Sequence, residues 1–178
     1  MSEKNHINIV MANNYSYAQE YWGEFYYRSY GEMTAQEARD RCNRDGASLP
    51  VPGSAFENAF YADLYPDGQV WLGLTTVHDG STTHEGNCTV DGENCGLKPI
   101  ITSTFDGSEA LFTNWGRDVH DDRENEWRFA ENTSANGAYA YIDNRQMGLG
   151  VFADTNFWNN NKSDSDLANA VCVYKIPS

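Results

Sequence analysis

The sequence predicts an α+β fold: two helices near the start, then short strands separated by long loops. Three observations lead there. Two helix-start signals, Thr34-Ala35-Gln36-Glu37 and Ser54-Ala55-Phe56-Glu57, lie early in the chain. Apolar or alternating runs at Val70–Thr75, Ala138–Asp143 and Ala170–Ile176 read as strands. The Gly-, Asp- and Asn-rich stretches between them are longer than simple connections, so they carry function or are insertions.

Residues 1–20 are polar and read as a frayed lead-in or an edge strand. Glu24–Tyr30 is aromatic and extended. Thr34 and Glu37 form a capping box, in which the hydroxyl accepts the third helical N–H and the carboxylate reaches back. The helix they open sets Ala38 and Cys42 on one face, and Asp45-Gly46 stops it. Ala47–Pro52 is extended, because residues before proline avoid the helical region. Ser54 and Glu57 predict a second capping box, opening a helix whose Phe56, Phe60 and Leu64 form a buried stripe. Tyr65-Pro66-Asp67-Gly68 is a turn, and Val70–Thr75 is a central buried strand. Residues 76–104 read as loop, Phe105–Ser108 as a turn, and residues 116–136 as the most charged stretch. Gly148–Phe157 reads as a linker or short strand.

At 178 residues the chain is most simply one domain. Its formal charge of −14 makes nucleic acid and anionic lipid poor partners. The same charge either collects cations, Ca²⁺ above all, or keeps the chain dissolved. No apolar run is long enough to cross a bilayer, so membrane insertion is not expected. Met1–His6 lacks an apolar signal core, which fits a cytosolic protein or a trimmed piece of an exported one. Four cysteines without CxxC spacing favour disulfides over zinc, and disulfides favour the exported reading. They admit three pairings, of which Cys42–Cys172 with Cys88–Cys95 is favoured.

In order along the chain stand Phe25–Tyr27, the helix with Cys42, Glu57-Asn58-x-Phe60 and Trp71-Leu72-Gly73-Leu74. Phe105-Asp106-Gly107-Ser108, Asn114-Trp115, Trp158-Asn159 and the final-strand Cys172 follow. This ordered set resembles the C-type lectin-like domain. The resemblance implies a lead-in over 1–21 and a domain over 22–178. Within it, residues 76–104 are an inserted loop holding the Cys88–Cys95 pair, and 116–137 with 144–169 form the long-loop binding region. A second disulfide common in the family would join positions that here hold Ala138 and Ser163. Sugar-binding members carry Glu-Pro-Asn or Gln-Pro-Asp after the Asn-Trp motif, and Trp-Asn-Asp later. This chain has Val119-His120-Asp121-Asp122 and Trp158-Asn159-Asn160 there, and residues 123–131 are extra. Valine cannot ligate Ca²⁺, which prefers six to eight oxygens. The usual sugar site is therefore expected to be lost or weakened unless inserted acids rebuild it.

The acidic loop of Asp118, Asp121, Asp122, Glu124, Glu126 and Glu131 is either a Ca²⁺ site or a solvated surface. The expected metal ligands are Asp121, Asp122, Glu124, Asn159 and Asn160. The expected ligand-binding residues are Trp127, as an exposed aromatic anchor, and the amides of Asn156, Asn159, Asn160 and Asn161. Tyr139 and Tyr141 are expected to pack beneath the loop and Trp158 to lie in the core. Sequons start at Asn14, Asn87, Asn132 and Asn161.

The functional expectation is a non-catalytic extracellular or cell-surface recognition and adhesion module with Ca²⁺ as candidate cofactor. A protein or peptide ligand ranks ahead of a glycan because the sugar tripeptide is missing, and a Ca²⁺-dependent lectin is the alternative. The resemblance also allows a bacterial adhesin tip or a phage receptor-binding domain. Ice binding ranks low, since Thr75, Thr76, Thr82 and Thr83 are irregularly spaced. An enzyme ranks low as well: GxSxG, HExxH and phosphate-cradling loops are missing from the sequence.

Overall fold

The computed structural model describes residues 11–77, 101–104, 106–112, 138–144, 157–159 and 164–176, with residues 8, 114 and 162. The strands are β1 (Ser16–Glu20), β2 (Gly23–Met33), β3 (Gln69–Val77), β4 (Ile101–Thr104), β5 (Ala138–Asp143), β6 (Phe157–Asn159) and β7 (Ala168–Lys175). The helices are α1 (Ala35–Arg44) and α2 (Ala55–Asp63). One sheet runs in the order β1-β2-β7-β3-β5-β6. Thr75 pairs with Tyr139 of β5 on one edge of β3 and with Ser103 of β4 on the other. Described pairings are antiparallel except the contact of β3 with β7, at Val70 and Asn169.

The sheet separates two cores by simple alternation. In β7, Ala168, Ala170 and Cys172 face one side, while Val171 and Val173 face the other. In β3, Val70, Leu72 and Leu74 join Tyr61 and Ala62 of α2, and Trp71 joins Ala38 and Cys42 of α1. In β5, Ala140 and Ile142 share the α2 side and Tyr141 the α1 side.

The first capping box forms as the sequence predicts. Glu37 N–H donates to Thr34 Oγ1 at 3.3 Å, and Thr34 N–H donates to Glu37 Oε2 at 2.9 Å. Asp45 ends α1, and Gly46 adopts the left-handed φ of 72° that glycine tolerates without a Cβ clash. Cys42 and Cys172, both fully buried, are joined as a disulfide with Cα atoms 5.2 Å apart. Cys88 and Cys95 lie outside the described residues. Past Gly46 the extended chain pairs Ser48 with Val173 through two backbone hydrogen bonds, of 3.0 and 2.7 Å. It also runs so close to β3 that a Cβ on Gly73 would stand 2.7 Å from the Leu49 carbonyl oxygen.

Three expectations need correction. Ser54 accepts the Glu57 N–H at 3.2 Å, but the Glu57 carboxylate takes the N–H of Gly53 rather than that of Ser54, so the second capping box is not the reciprocal one. The face of α2 that sinks into the protein is Glu57, Asn58, Tyr61 and Ala62, while Phe56 is 66% exposed and Phe60 and Leu64 are half-buried. Polar partners beneath the helix decide this. Glu57 receives Gly53 N–H at 2.8 Å, the Tyr61 hydroxyl at 2.8 Å and the Lys175 ammonium at 2.5 Å. Asn58 Oδ1 receives the Trp158 indole N–H at 2.6 Å. A buried carboxylate or amide is tolerated only with such partners, so the helix rolls toward them. Finally, the ends of the 76–104 stretch are strand: β3 continues to Val77, and Ile101–Thr104 pair with it as β4. Of residues 1–20, Ser16–Glu20 are an edge strand hydrogen-bonded to β2.

Candidate functional site

The part of the candidate site that the structure describes is its floor. β5 and β6 pair in the register Tyr141–Asn159, Ile142–Trp158 and Asp143–Phe157. Trp158 anchors this floor from three sides. Its backbone N–H donates to the Asn114 carbonyl at 2.7 Å, its indole N–H to Asn58, and Phe112 meets its ring edge-on at 5.6 Å. Trp158 is therefore core, as expected, and the strand carrying Asn159 is tied to α2 and to the segment at Asn114. A recognition surface needs such a rigid base, since loops place side chains well only when their ends are fixed.

Tyr141 is buried against Trp71, ring centroids 5.8 Å apart, and Tyr139 is half-buried with its hydroxyl donating to Gln36 Oε1 at 3.1 Å. Both thus belong to the floor rather than to an exposed platform. The Lys162 ammonium stands 5.1 Å from the centre of the Tyr141 ring, a cation–π contact beside the Asn159 position. At the far end of β5, Asn144 Nδ2 donates to the Ala62 carbonyl at 3.1 Å, and Gln69 Nε2 donates to buried Asp143 at 3.0 Å. These amides join α2, β3 and β5 where no apolar signal marked a contact.

Of the predicted site residues, Asn159 is placed by its backbone in β6. Asp121, Asp122, Glu124, Trp127, Asn156, Asn160 and Asn161 lie outside the described residues. Among the described residues no group of three or more His, Cys, Asp or Glu side chains is placed to hold a metal ion. No helix among them is long and apolar enough to cross a membrane.

Sequence reasoning missed a polar cluster that fixes the start of the chain. Buried Asp45, read only as a helix stop, accepts hydrogen bonds from the hydroxyls of Tyr15, at 3.0 Å, and Tyr30. Arg28 donates to the Asn13 carbonyl at 2.5 Å. Burial, followed by the negative charge of Asp45, pushes the Tyr15 hydroxyl well above the usual tyrosine range. Burial likewise raises Tyr61, with the Glu57 carboxylate adding to it.

Residues 31–174 match the Lectin C-type domain family. The chain belongs to this family. The matched range begins at the end of β2 and takes in both helices, Trp71–Leu74, Trp158-Asn159 and Cys172. Solved structures share the fold. The C-type lectin CEL-I from Cucumaria echinata is 19% identical with a TM-score of 0.55, covering 88% of this chain and 93% of its own. The C-type lectin domain of murine dendritic cell inhibitory receptor 2, in complex with N-glycan, is 15% identical with a TM-score of 0.53, covering 89% and 95%. A calcium-independent type II antifreeze protein is 16% identical with a TM-score of 0.51, covering 90% and 92%. C-type lectin domains are characteristically non-catalytic recognition domains, and a ligand-binding role follows for this chain.

Proposed function

We propose that this C-type lectin domain is a carbohydrate-recognition module of an extracellular or cell-surface protein, and that its ligand sits on the long-loop segments flanking β5 and β6 in the chain. One observation carries the reading: the family match spans residues 31–174, a range that holds the Cys42 helix, Cys172 and the Trp158-Asn159 element, whose strand is fixed to β5. Two of the structural relatives are described as a lectin and as a domain complexed with N-glycan, which supports sugar over peptide and reverses the order expected from the sequence. The oxygens of Asp121, Asp122, Glu124, Asn159 and Asn160 suit Ca²⁺, which takes carboxylate and amide ligands. Such an ion would supply a charged centre for sugar hydroxyls, and the inserted acids would replace the missing tripeptide. Trp127 and the amides of Asn156 and Asn161 would complete the contact surface.

A second reading, a protein or peptide ligand, keeps one specific argument: Val119 stands where sugar-binding members carry a ligating residue, and His120 where they carry proline. The bacterial adhesin and phage receptor-binding settings are finer versions of either reading. A glycan array run beside a peptide-display panel, each in Ca²⁺ and in EDTA, tests the proposal. Glycan signals lost in EDTA support it. Peptide signals alone, indifferent to EDTA, overturn it.

A further inference from the structure

We propose that Asn14 is the acceptor for an N-linked glycan. The proposal rests on the extracellular reading above, because the donor is met only in a secretory compartment. The sequon Asn14-Tyr15-Ser16 lies wholly within the described residues. The Asn residues of the other three sequons, at 87, 132 and 161, do not. Asn14 sits in a tight turn, its N–H donating to the Met11 carbonyl at 3.2 Å, with a left-handed φ of 61°. Asparagine is among the few residues that accept that conformation readily. Asn14 and Ser16 are both exposed, whereas Tyr15 between them is buried and held by Asp45. Among the described contacts neither the Asn14 amide nor the Ser16 hydroxyl is engaged. The tripeptide thus offers its two chemical groups to solvent while its middle residue roots the turn, and a bulky adduct displaces nothing.

The surroundings give the adduct a purpose. β1 begins at Ser16, and among the described strands it pairs with β2 alone, leaving its other edge open. The pairing carries no bulge, and β1 contains no lysine or proline, the usual guards against edge-to-edge association. Met11 is 55% exposed and Tyr17 50%, and both lie within three residues of Asn14. A hydrated oligosaccharide at Asn14 covers this apolar margin and obstructs the open edge. In the transfer, the Asn14 side-chain nitrogen bonds to the anomeric carbon of an oligosaccharide donor carried on a lipid pyrophosphate. The bond from that carbon to the pyrophosphate oxygen breaks, the oxygen keeps the electron pair, and the amide releases one proton. No oxidant or reductant takes part.

The test uses the full chain behind a cleavable secretion leader in animal cells, with retained and secreted pools digested separately. Enzymatic deglycosylation in heavy-oxygen water should convert Asn14 to a labelled aspartate. Asn14→Gln and Ser16→Ala should each remove one glycan from the intact mass, while Ser16→Thr should keep it. Asn14 left unmodified in both pools overturns the proposal. The Cys42–Cys172 disulfide, mapped in the same digest, reports separately on the extracellular reading: an unmodified Asn14 beside a formed disulfide sinks the glycan site alone.

Discussion

Removing the Cys42–Cys172 bridge by the double substitution Cys42→Ala/Cys172→Ala should strongly destabilise this domain. The bridge spans 130 residues of sequence. Chain-entropy reasoning gives a loop of that length about 5 kcal/mol, from the conformations denied to the unfolded chain. Both side chains are fully buried, between α1 and β7, so truncation to alanine adds a small packing loss. For a domain of this size, such a loss lowers Tm by roughly 10–20 °C. The assay is urea unfolding followed by tryptophan fluorescence, with a thermal scan alongside. The oxidised parent, the parent in a phosphine reductant and the double mutant are compared. The reduced parent, which also loses the expected Cys88–Cys95 bridge, should be at least as destabilised as the double mutant. The expected Cys88–Cys95 pair would close a much shorter ring, so Cys88→Ala/Cys95→Ala should cost about half as much. A loss below about 1 kcal/mol for the first pair, or equal losses for both, would refute the reasoning.

Four further outcomes are expected. Asn58→Ala leaves the buried Trp158 indole N–H without its acceptor and should cost about 1–3 kcal/mol; an unchanged urea midpoint would contradict the anchoring role. Gly73→Ala forces a methyl against the Leu49 carbonyl and should cost about 1–3 kcal/mol, read in the same unfolding curves. Stability should fall as pH rises above about 10, where unfolded tyrosines ionise. Tyr15 and Tyr61 keep their protons in the folded state, so the contribution is whole below that pH and shrinks by about 1.4 kcal/mol per unit for each such residue. Tyr61→Phe should flatten the slope between pH 10 and 11, and an identical slope would argue against a buried, protonated Tyr61. Finally, Asp121→Ala/Asp122→Ala should abolish any rise of Tm on adding Ca²⁺, and a response equal to the parent's would show that the ion sits elsewhere.

The helices and central strands were legible because their signals are local. Thr34 and Glu37 cap α1 within four residues, and the 3.6-residue period puts Ala38 and Cys42 on one face regardless of what they meet. β7 and β5 alternate across the sheet as a period of two requires. The roll of α2 was not legible. Its apolar stripe pointed to Phe56, whereas the outcome depends on Lys175 and Trp158, each a hundred residues or more from its partner in sequence. β4 was missed for a related reason. Ile101–Thr104 has no turn signal or alternation of its own, and it becomes a strand through pairing with β3. The resemblance brought Trp158 and Asn159 to attention, and the structure shows why the tryptophan belongs there: it fastens β6 to α2. The acids at 121, 122 and 124 are readable as chemistry, but residue types alone do not encode whether they converge on a cation, and they lie outside the described residues.

The central claim is that recognition takes place on the long loop carried by β5 and β6. Hydrogen exchange measured with and without the strongest array ligand, in Ca²⁺, addresses it directly. The account requires ligand-induced protection in peptides covering residues 116–137 and 157–162, with β1, β2 and α1 unchanged. Protection confined to β1, β2 or α1, with those loop peptides exchanging as in the free protein, would contradict it.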